Sequence, residues 1–399
     1  MKTKQILLLI VLVVVVGIGG LVLQRKQGAA WNGGAAEGEK LLANLPVGES
    51  LAQVVIQQGT NTLTLAKQDD VWGVKERGGY PANYNEISST ILKLRDLKPV
   101  QTEQVGPSQL GRLELLPPDA ASNAATRVEF RDAAGKSLAS LSLGKTQMRE
   151  DARAAQFGGG MGGYPAGRWV MLGDSKDTVY LVADPLSSLK TDAGQWLNKD
   201  FIKVEKIKSI RVTHPEPTNS WTVSRANETG SDWTLADAKE GETLDSIKSS
   251  GFGYALGSPS FNDVASEADA TKHGLNTPVA IVIETFDGFT YTLKAGAKTD
   301  DNQTLAVNVS ANLPKERTPA EDETPDDKAR LDQEFADQHK KLLEKLAKEK
   351  AFEKWTYFVP GYTLDSLLKN RGELLANKEE TADADSTVEE PDFLDLPSP

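Results

Sequence analysis

Short stretches of alternating apolar and polar residues recur in the same order in the two halves of the chain. Such alternation places every second side chain on one face and predicts β-strands. The stretches fall at residues 54–56, 63–65 and 71–74 in the first half, and at 210–212, 221–223 and 233–235 in the second. Each half is therefore predicted to open with three neighbouring antiparallel strands. Trp72 and Trp233 lie in the third stretch of each half, where we expect them in the core.

A helical pattern follows each set of strands. In the first half, Ile87, Ile91 and Leu94 recur at spacings of three and four and predict a helix over residues 85–97. The corresponding helix of the second half is predicted over roughly residues 243–256.

Further blocks then repeat in the same order. A turn ends in Pro118 or Pro278, and a hairpin after it ends in Gly144 or Gly296. A strand and a closing segment complete each half, at about residues 179–199 and 356–378. The shared order of so many blocks predicts an internal duplication.

Each half also has an insertion. The first is a glycine-rich segment, residues 150–167, that we predict to form a loop, whereas the second is densely charged and covers 312–355. Within the second, Thr324 and Pro325 have the features of a helix start. Four apolar residues fall in a narrow arc of this helix, namely Leu331, Phe335, Leu342 and Leu346. We expect this stripe either to pack on its own module or to bind a protein partner.

The N-terminus carries eighteen consecutive uncharged residues, 6–23, preceded by Lys2 and Lys4. A helix of that length spans about 27 Å, close to the thickness of a bilayer's hydrocarbon core. The pattern favours an uncleaved signal anchor over a cleaved signal peptide, whose apolar core is usually shorter. No second apolar run follows, so the remaining chain is predicted to lie on one side of the membrane, preferably outside the cytoplasm.

The predicted fold class is therefore α+β: an N-terminal transmembrane helix followed by two tandem modules, each an antiparallel sheet with a helix. The expected boundaries are residues 1–24 for the anchor, 25–49 for a flexible stalk, 50–205 and 206–376 for the modules, and 377–399 for a disordered acidic tail.

Composition removes several classes of function. The net charge of −12 argues against a nucleic-acid partner, which needs a clustered basic face. The absence of cysteine excludes disulfides and thiolate chemistry. Three separate histidines, His214, His273 and His339, have no metal-binding spacing. We therefore expect no metal, no cofactor and no catalytic residues, and thus a non-enzymatic protein.

The order of these motifs resembles a known family. The chain resembles bacterial domain-of-unknown-function family 4340. The motifs that carry the resemblance are an N-terminal anchor, strands ending at Asp70–Trp72 and Asp232–Trp233, a turn at Gly274, Leu275 and Pro278, and the pairs Leu143–Gly144 and Val179–Tyr180. The resemblance implies an auxiliary protein of the bacterial inner membrane, because such proteins are often encoded beside gliding-motility-type ABC transporter components.

The leading hypothesis is a single-pass membrane protein with an extracytoplasmic, duplicated binding region. It is expected to contact the membrane through residues 6–23. Its expected partner is a transporter's permease and ATPase complex, an envelope polymer or a second copy of the chain. Two alternatives stay open. One is an anchored envelope hydrolase that uses carboxylates in a cleft, and the other is a passive structural spacer.

Overall fold

The computed structural model describes residues 39–45, 48, 50–149, 163–173, 175–230, 232–266, 272–320 and 322–376. The chain divides into two compact units, the first ending at Asn198 and the second beginning at Lys199. Each unit is built on one antiparallel sheet with few helices, so the fold is α+β. The predicted anchor and acidic tail lie outside these residues. Within the described ranges, no helix is long and apolar enough to cross a membrane.

The described residues of the first unit form nine strands and two α-helices. The strands are β1 (Gln53–Gln58), β2 (Asn61–Gln68), β3 (Val71–Val74), β4 (Tyr80–Pro81), β5 (Pro99–Gln104), β6 (Thr126–Arg131), β7 (Ser137–Arg149), β8 (Tyr164–Leu172) and β9 (Thr178–Val182). The helices are α1 (Tyr84–Arg95) and α2 (Pro107–Leu110). The strand order across the sheet is β4-β3-β2-β1-β6-β7-β8-β9-β5.

In the second unit, the part of the chain that the structure describes forms eight strands and two α-helices. The strands are β10 (Ile207–Thr213), β11 (Trp221–Ser224), β12 (Thr234–Leu235), β13 (Asp263–Val264), β14 (Val279–Thr285), β15 (Phe289–Thr299), β16 (Asn302–Ala311) and β17 (Thr356–Pro360). The helices are α3 (Ser246–Ser249) and α4 (Pro325–Lys350). The strand order is β12-β11-β10-β14-β15-β16-β17-β13.

The two sheets have the same strand order once β4 is set aside, and their registers agree at the central positions. In the first sheet, Val54 lies between Leu65 and Phe130. In the second, Ile210 lies between Val223 and Ile283. These are the residues that the sequence repeat places in correspondence. The apolar side chains of these central positions are buried, as the alternating pattern predicts.

The two helices that follow the third strands also correspond, although they differ in regularity. Asn83 caps α1 by accepting the N–H of Glu86, and its own N–H donates to the carbonyl of Trp196. Asp245 caps α3 by accepting the N–H of Ile247, and its N–H donates to Leu374. Each cap therefore joins its helix to the closing segment of the same unit.

Two elements differ from the sequence prediction. The helix predicted over 243–256 is only one α-helical turn, α3, followed by a 3₁₀ turn at Phe252–Tyr254. Gly251 and Gly253 interrupt this segment, and glycine lowers helix stability. In addition, β8 begins at Tyr164, so the last residues of the glycine-rich insertion form strand rather than loop.

Part of the segment assigned to the stalk packs against the first unit. Leu42 and Leu45 are buried, and the N–H of Leu41 donates to the carbonyl of Leu97 at 2.8 Å. Residues 39–45 are thus held beside the end of α1. The preceding part of the predicted stalk, residues 25–38, lies outside the described residues.

Candidate functional site

The paired glycines Gly144 and Gly296 allow a turn to lie directly on a strand. A side chain at Gly296 would meet the carbonyl of His273 and lie 3.0 Å from Leu275 Cδ2. A side chain at Gly144 would meet the carbonyl of Leu113 and lie 2.7 Å from Leu115 Cγ. Glycine is therefore required at both positions by close packing. These two markers of the repeat are structural.

The residue after each of these carbonyls has the same backbone conformation. Glu114 has φ of 56° and Gly274 has φ of 71°, both in the left-handed region. The first unit thus keeps the shape of the turn although it lacks the glycine. Glycine adopts this conformation without the steric cost that other residues meet, so Glu114 holds it under mild strain. Pro118 and Pro278 follow four residues after Glu114 and Gly274, and both are half-buried.

In each unit, a polar side chain from the neighbouring strand donates a hydrogen bond to the carbonyl of the paired glycine. Arg168 Nε donates to the carbonyl of Gly144 at 2.9 Å, and Gln303 Nε2 donates to the carbonyl of Gly296 at 2.5 Å. Burial lowers the pKa of Arg168 from its ordinary value. The equivalent glycine carbonyls of the two units therefore each accept a hydrogen bond, but from side chains of different type.

Trp72 and Trp233 are both buried, in agreement with the expectation that they belong to the core. The Trp233 ring packs edge-to-face on Phe252, with centroids 5.8 Å apart. Phe252 also stacks on Trp221 at 5.4 Å. The aromatic cluster holds the short α3 segment against its sheet.

The four candidate partner-binding residues lie on α4, which begins at Pro325 with Thr324 as its N-cap, as predicted. Leu331, Phe335, Leu342 and Leu346 are all half-buried. They share a helix face with Glu349, which is only 3% exposed. At the C-terminal end of α4, this face is therefore turned toward the sheet of its own unit. Partner binding through the stripe stays a prediction.

Glu349 fixes the end of α4 to the sheet. Its carboxylate accepts the hydroxyl of Tyr291 at 2.7 Å and the N–H of Lys203 at 3.0 Å. Burial raises the pKa of this carboxyl above its ordinary value. The equivalent position in the first sheet is Ala139. The tyrosine that binds Glu349 is therefore present only in the unit that has α4.

A cleft lies beside α1 in the first unit, with a volume of about 340 Å³. We call it cleft 1, lined by Leu51, Lys67, Trp72, Tyr84 and Leu92 among others. Tyr84 and Leu92 are large side chains that are 62% and 44% exposed. At its rim, Lys67 Nζ pairs with the Asp70 carboxylate at 2.8 Å, and this contact lowers the pKa of Asp70.

A second cleft, of about 530 Å³, lies beside the α3 segment of the second unit. We call it cleft 2, lined by Lys206, Arg225, Glu228, Gly253, Tyr254 and Ser258 among others. Tyr254 is 84% exposed. Arg225 is held in place by its Nε, which donates to Ile207 O at 2.7 Å, and by Nη1, which donates to Gly230 O at 2.9 Å.

The two clefts occupy equivalent places. Lys67 follows Leu65 by two residues, and Arg225 follows Val223 by two. The N–H of Lys67 donates to the carbonyl of Ala52, and the N–H of Arg225 donates to the equivalent carbonyl, that of Lys208. Leu92 and Tyr254 each lie nine residues after the helix cap of their unit. Each unit therefore presents a cation and an exposed apolar side chain at matched positions.

The residues that line the two clefts were not predicted from the sequence. Each cleft combines segments far apart in the chain, and only their packing brings the segments together. One signal was available: Leu92 interrupts the polar side of the helical pattern at residues 85–97, where an apolar residue has no core to enter.

The comparison with protein families decides which family this chain belongs to. The model of the family Domain of unknown function (DUF4340) matches residues 72–278. The chain belongs to this family. No curated protein and no solved structure gives a match.

The DUF4340 match runs from Trp72 in the first unit to Pro278 in the second, so both of its ends fall on residues of the repeat. It contains every residue that lines cleft 2. It does not include α4, so the stripe from Leu331 to Leu346 lies outside the range that the family model matches.

Proposed function

We propose that this DUF4340 chain is a non-enzymatic binding protein that assists the assembly of an ABC-type transport system. In this proposal, residues 6–23 anchor it in the bacterial inner membrane and both units stand outside the cytoplasm. The anchor is supported by the length and charge flanks of the apolar run. The transport system is supported only by the genomic setting that the resemblance implies.

The observation that carries a binding role is the repeated cleft. Leu92 and Tyr254 are large side chains left exposed at equivalent positions, beside clefts that each have a basic side chain, Lys67 or Arg225, in their lining. Large apolar side chains on a surface often mark an interaction site when they recur beside polar groups. Charged groups at the rim would set the orientation of a partner rather than most of its affinity.

The test is affinity purification of the full-length protein in mild detergent from its native membrane, followed by mass spectrometry. The wild type should retain a permease and an ATPase. The double variant Leu92→Ser with Tyr254→Ser should lose them, because polar side chains remove the apolar contacts. The control is Tyr362→Ser, which changes a side chain that is 75% exposed outside both clefts. Equal recovery with all three proteins would refute a role for the clefts.

A further inference from the structure

Arg225 differs from its equivalent, Lys67, in the partner available to it. In cleft 1, Lys67 pairs with Asp70, three residues later. In cleft 2, Glu228 stands three residues after Arg225 but pairs with Lys206 at 3.2 Å. Among the residues that the structure describes, no carboxylate forms an ion pair with Arg225. Comparison of the two units thus shows that Arg225 lacks the carboxylate partner that Asp70 provides for Lys67.

The guanidinium of Arg225 is nevertheless rigidly placed. Its central carbon lies 5.2 Å from the Trp233 ring and 5.8 Å from the Phe286 ring, and two of its nitrogens donate to backbone carbonyls. Within the described part of the chain, its Nη2 donates to no acceptor. Arginine held in this way is suited to bind a carboxylate or phosphate, because its orientation does not have to be fixed upon binding.

The carboxylates of cleft 2 pair with lysines and do not compete with such an anion for Arg225. Glu205 pairs with Lys203 at 2.7 Å and lies 3.8 Å from Lys345. These lysines lower the pKa of Glu205. Gly253 lies directly against the Arg225 guanidinium, since a Cβ at this position would be 3.6 Å from Arg225 Nη1, and Tyr254 offers an exposed ring beside it. The cleft therefore fits an extended acidic peptide with an apolar side chain.

We propose that cleft 2 binds the acidic C-terminal tail of this chain, through residues 392–396. The tail, residues 377–399, has eight acidic side chains against one lysine, and this segment reads Asp-Phe-Leu-Asp-Leu. A carboxylate of Asp392 or Asp395 pairs with Arg225, while Phe393 packs beside Tyr254. The tail then occupies the cleft until a partner displaces it.

The tail can reach this cleft from its point of departure. The last described residue, Ala376, donates its N–H to Thr243 O at 2.9 Å. Ser258 in the cleft follows Thr243 by fifteen residues, so it lies within about 55 Å, and the sixteen residues from Ala376 to Asp392 extend about as far. A tethered segment of this length acts at an effective concentration of the order of mM, so weak binding is sufficient.

Because the chain has no cysteine, disulfide trapping tests this directly on the full-length protein. Ser398→Cys places a thiol just after the acidic segment, and Ser258→Cys places one in cleft 2. The matched control combines Ser398→Cys with Ser88→Cys, which lines cleft 1. The intramolecular disulfide is measured by mass spectrometry in glutathione buffers, and each value is corrected for the reactivity of the single cysteine.

We expect the effective molarity for positions 258 and 398 to be at least tenfold higher than for 88 and 398. Adding Asp392→Asn and Asp395→Asn should lower it to the control value without touching the folded units. Equal values in the two clefts, or no effect of neutralising the tail, would overturn the proposal. This result does not depend on any transporter, so the binding role proposed above can fail or succeed separately.

Discussion

Replacing Gly296 with alanine tests the close contact between turn and strand. The new Cβ would lie 3.0 Å from Leu275 Cδ2 and closer still to the carbonyl of His273, whereas ordinary Cβ contacts begin near 3.4 Å. The turn would have to move by about 1 Å. That movement weakens the hydrogen bond from Ala297 N–H to His273 O, now 2.7 Å. Crowding of a packed site costs about 1–3 kcal/mol and the hydrogen bond about 1 kcal/mol.

The expected loss in the free energy of unfolding is therefore about 2–4 kcal/mol, which lowers the Tm by roughly 4–16 °C in a unit of this size. The assay is thermal and urea unfolding of the purified protein by circular dichroism. The control is Gly251→Ala, where φ is −79° and no atom lies within 4 Å of the added carbon. Alanine should be neutral or stabilise by about 0.4–1 kcal/mol there. If Gly296→Ala is no less stable than this control, the proposed contact is wrong.

Three further predictions concern charges and a cap. The folded pKa of Glu349 is raised, so the folded state binds a proton more tightly, and stability falls as pH rises through that pKa. Lowering the pH from 8 toward 4.5 should thus favour the wild type over Glu349→Gln in urea unfolding; a pH-independent difference would contradict this. Conversely, Arg371 lowers the pKa of Glu242 to about 2, so this pair stabilises above pH 4.5 and is lost toward pH 2. Glu242→Gln should remove that part of the acid-unfolding curve, and an unchanged curve would count against the ion pair. Finally, Thr324→Ala should reduce the helix content of α4 and cost about 0.5–2 kcal/mol, measured by circular dichroism and urea unfolding; no change would mean that the cap is not needed.

The strands were predictable because their signal is local. Alternation at residues such as Val54, Leu63 and Leu65 follows from a sheet with one buried face, and the structure buries all three. The start of α4 was equally clear, since Thr324 and Pro325 satisfy the requirements of the first helical turn without any tertiary contact.

The short α3 segment shows where the local signal fails. Apolar spacing predicted a full helix there, but the cost of two glycines outweighed it, and Phe252 packs on Trp221 in the shorter segment instead. The clefts were less predictable still. The isolation of Arg225 depends on Glu228 turning to Lys206, and this choice is made only in the folded unit.

The two links that follow the equivalent strands β8 and β16 differ greatly in length. Residues 173–177 join β8 to β9, whereas residues 312–355, including α4, join β16 to β17. The entropic cost of closing a loop grows only slowly with its length, so the same pair of strands accepts either link. The short link of the first unit is thus a natural place to splice in a reporter, such as a fluorescent protein after Gly173, for following the chain in living cells.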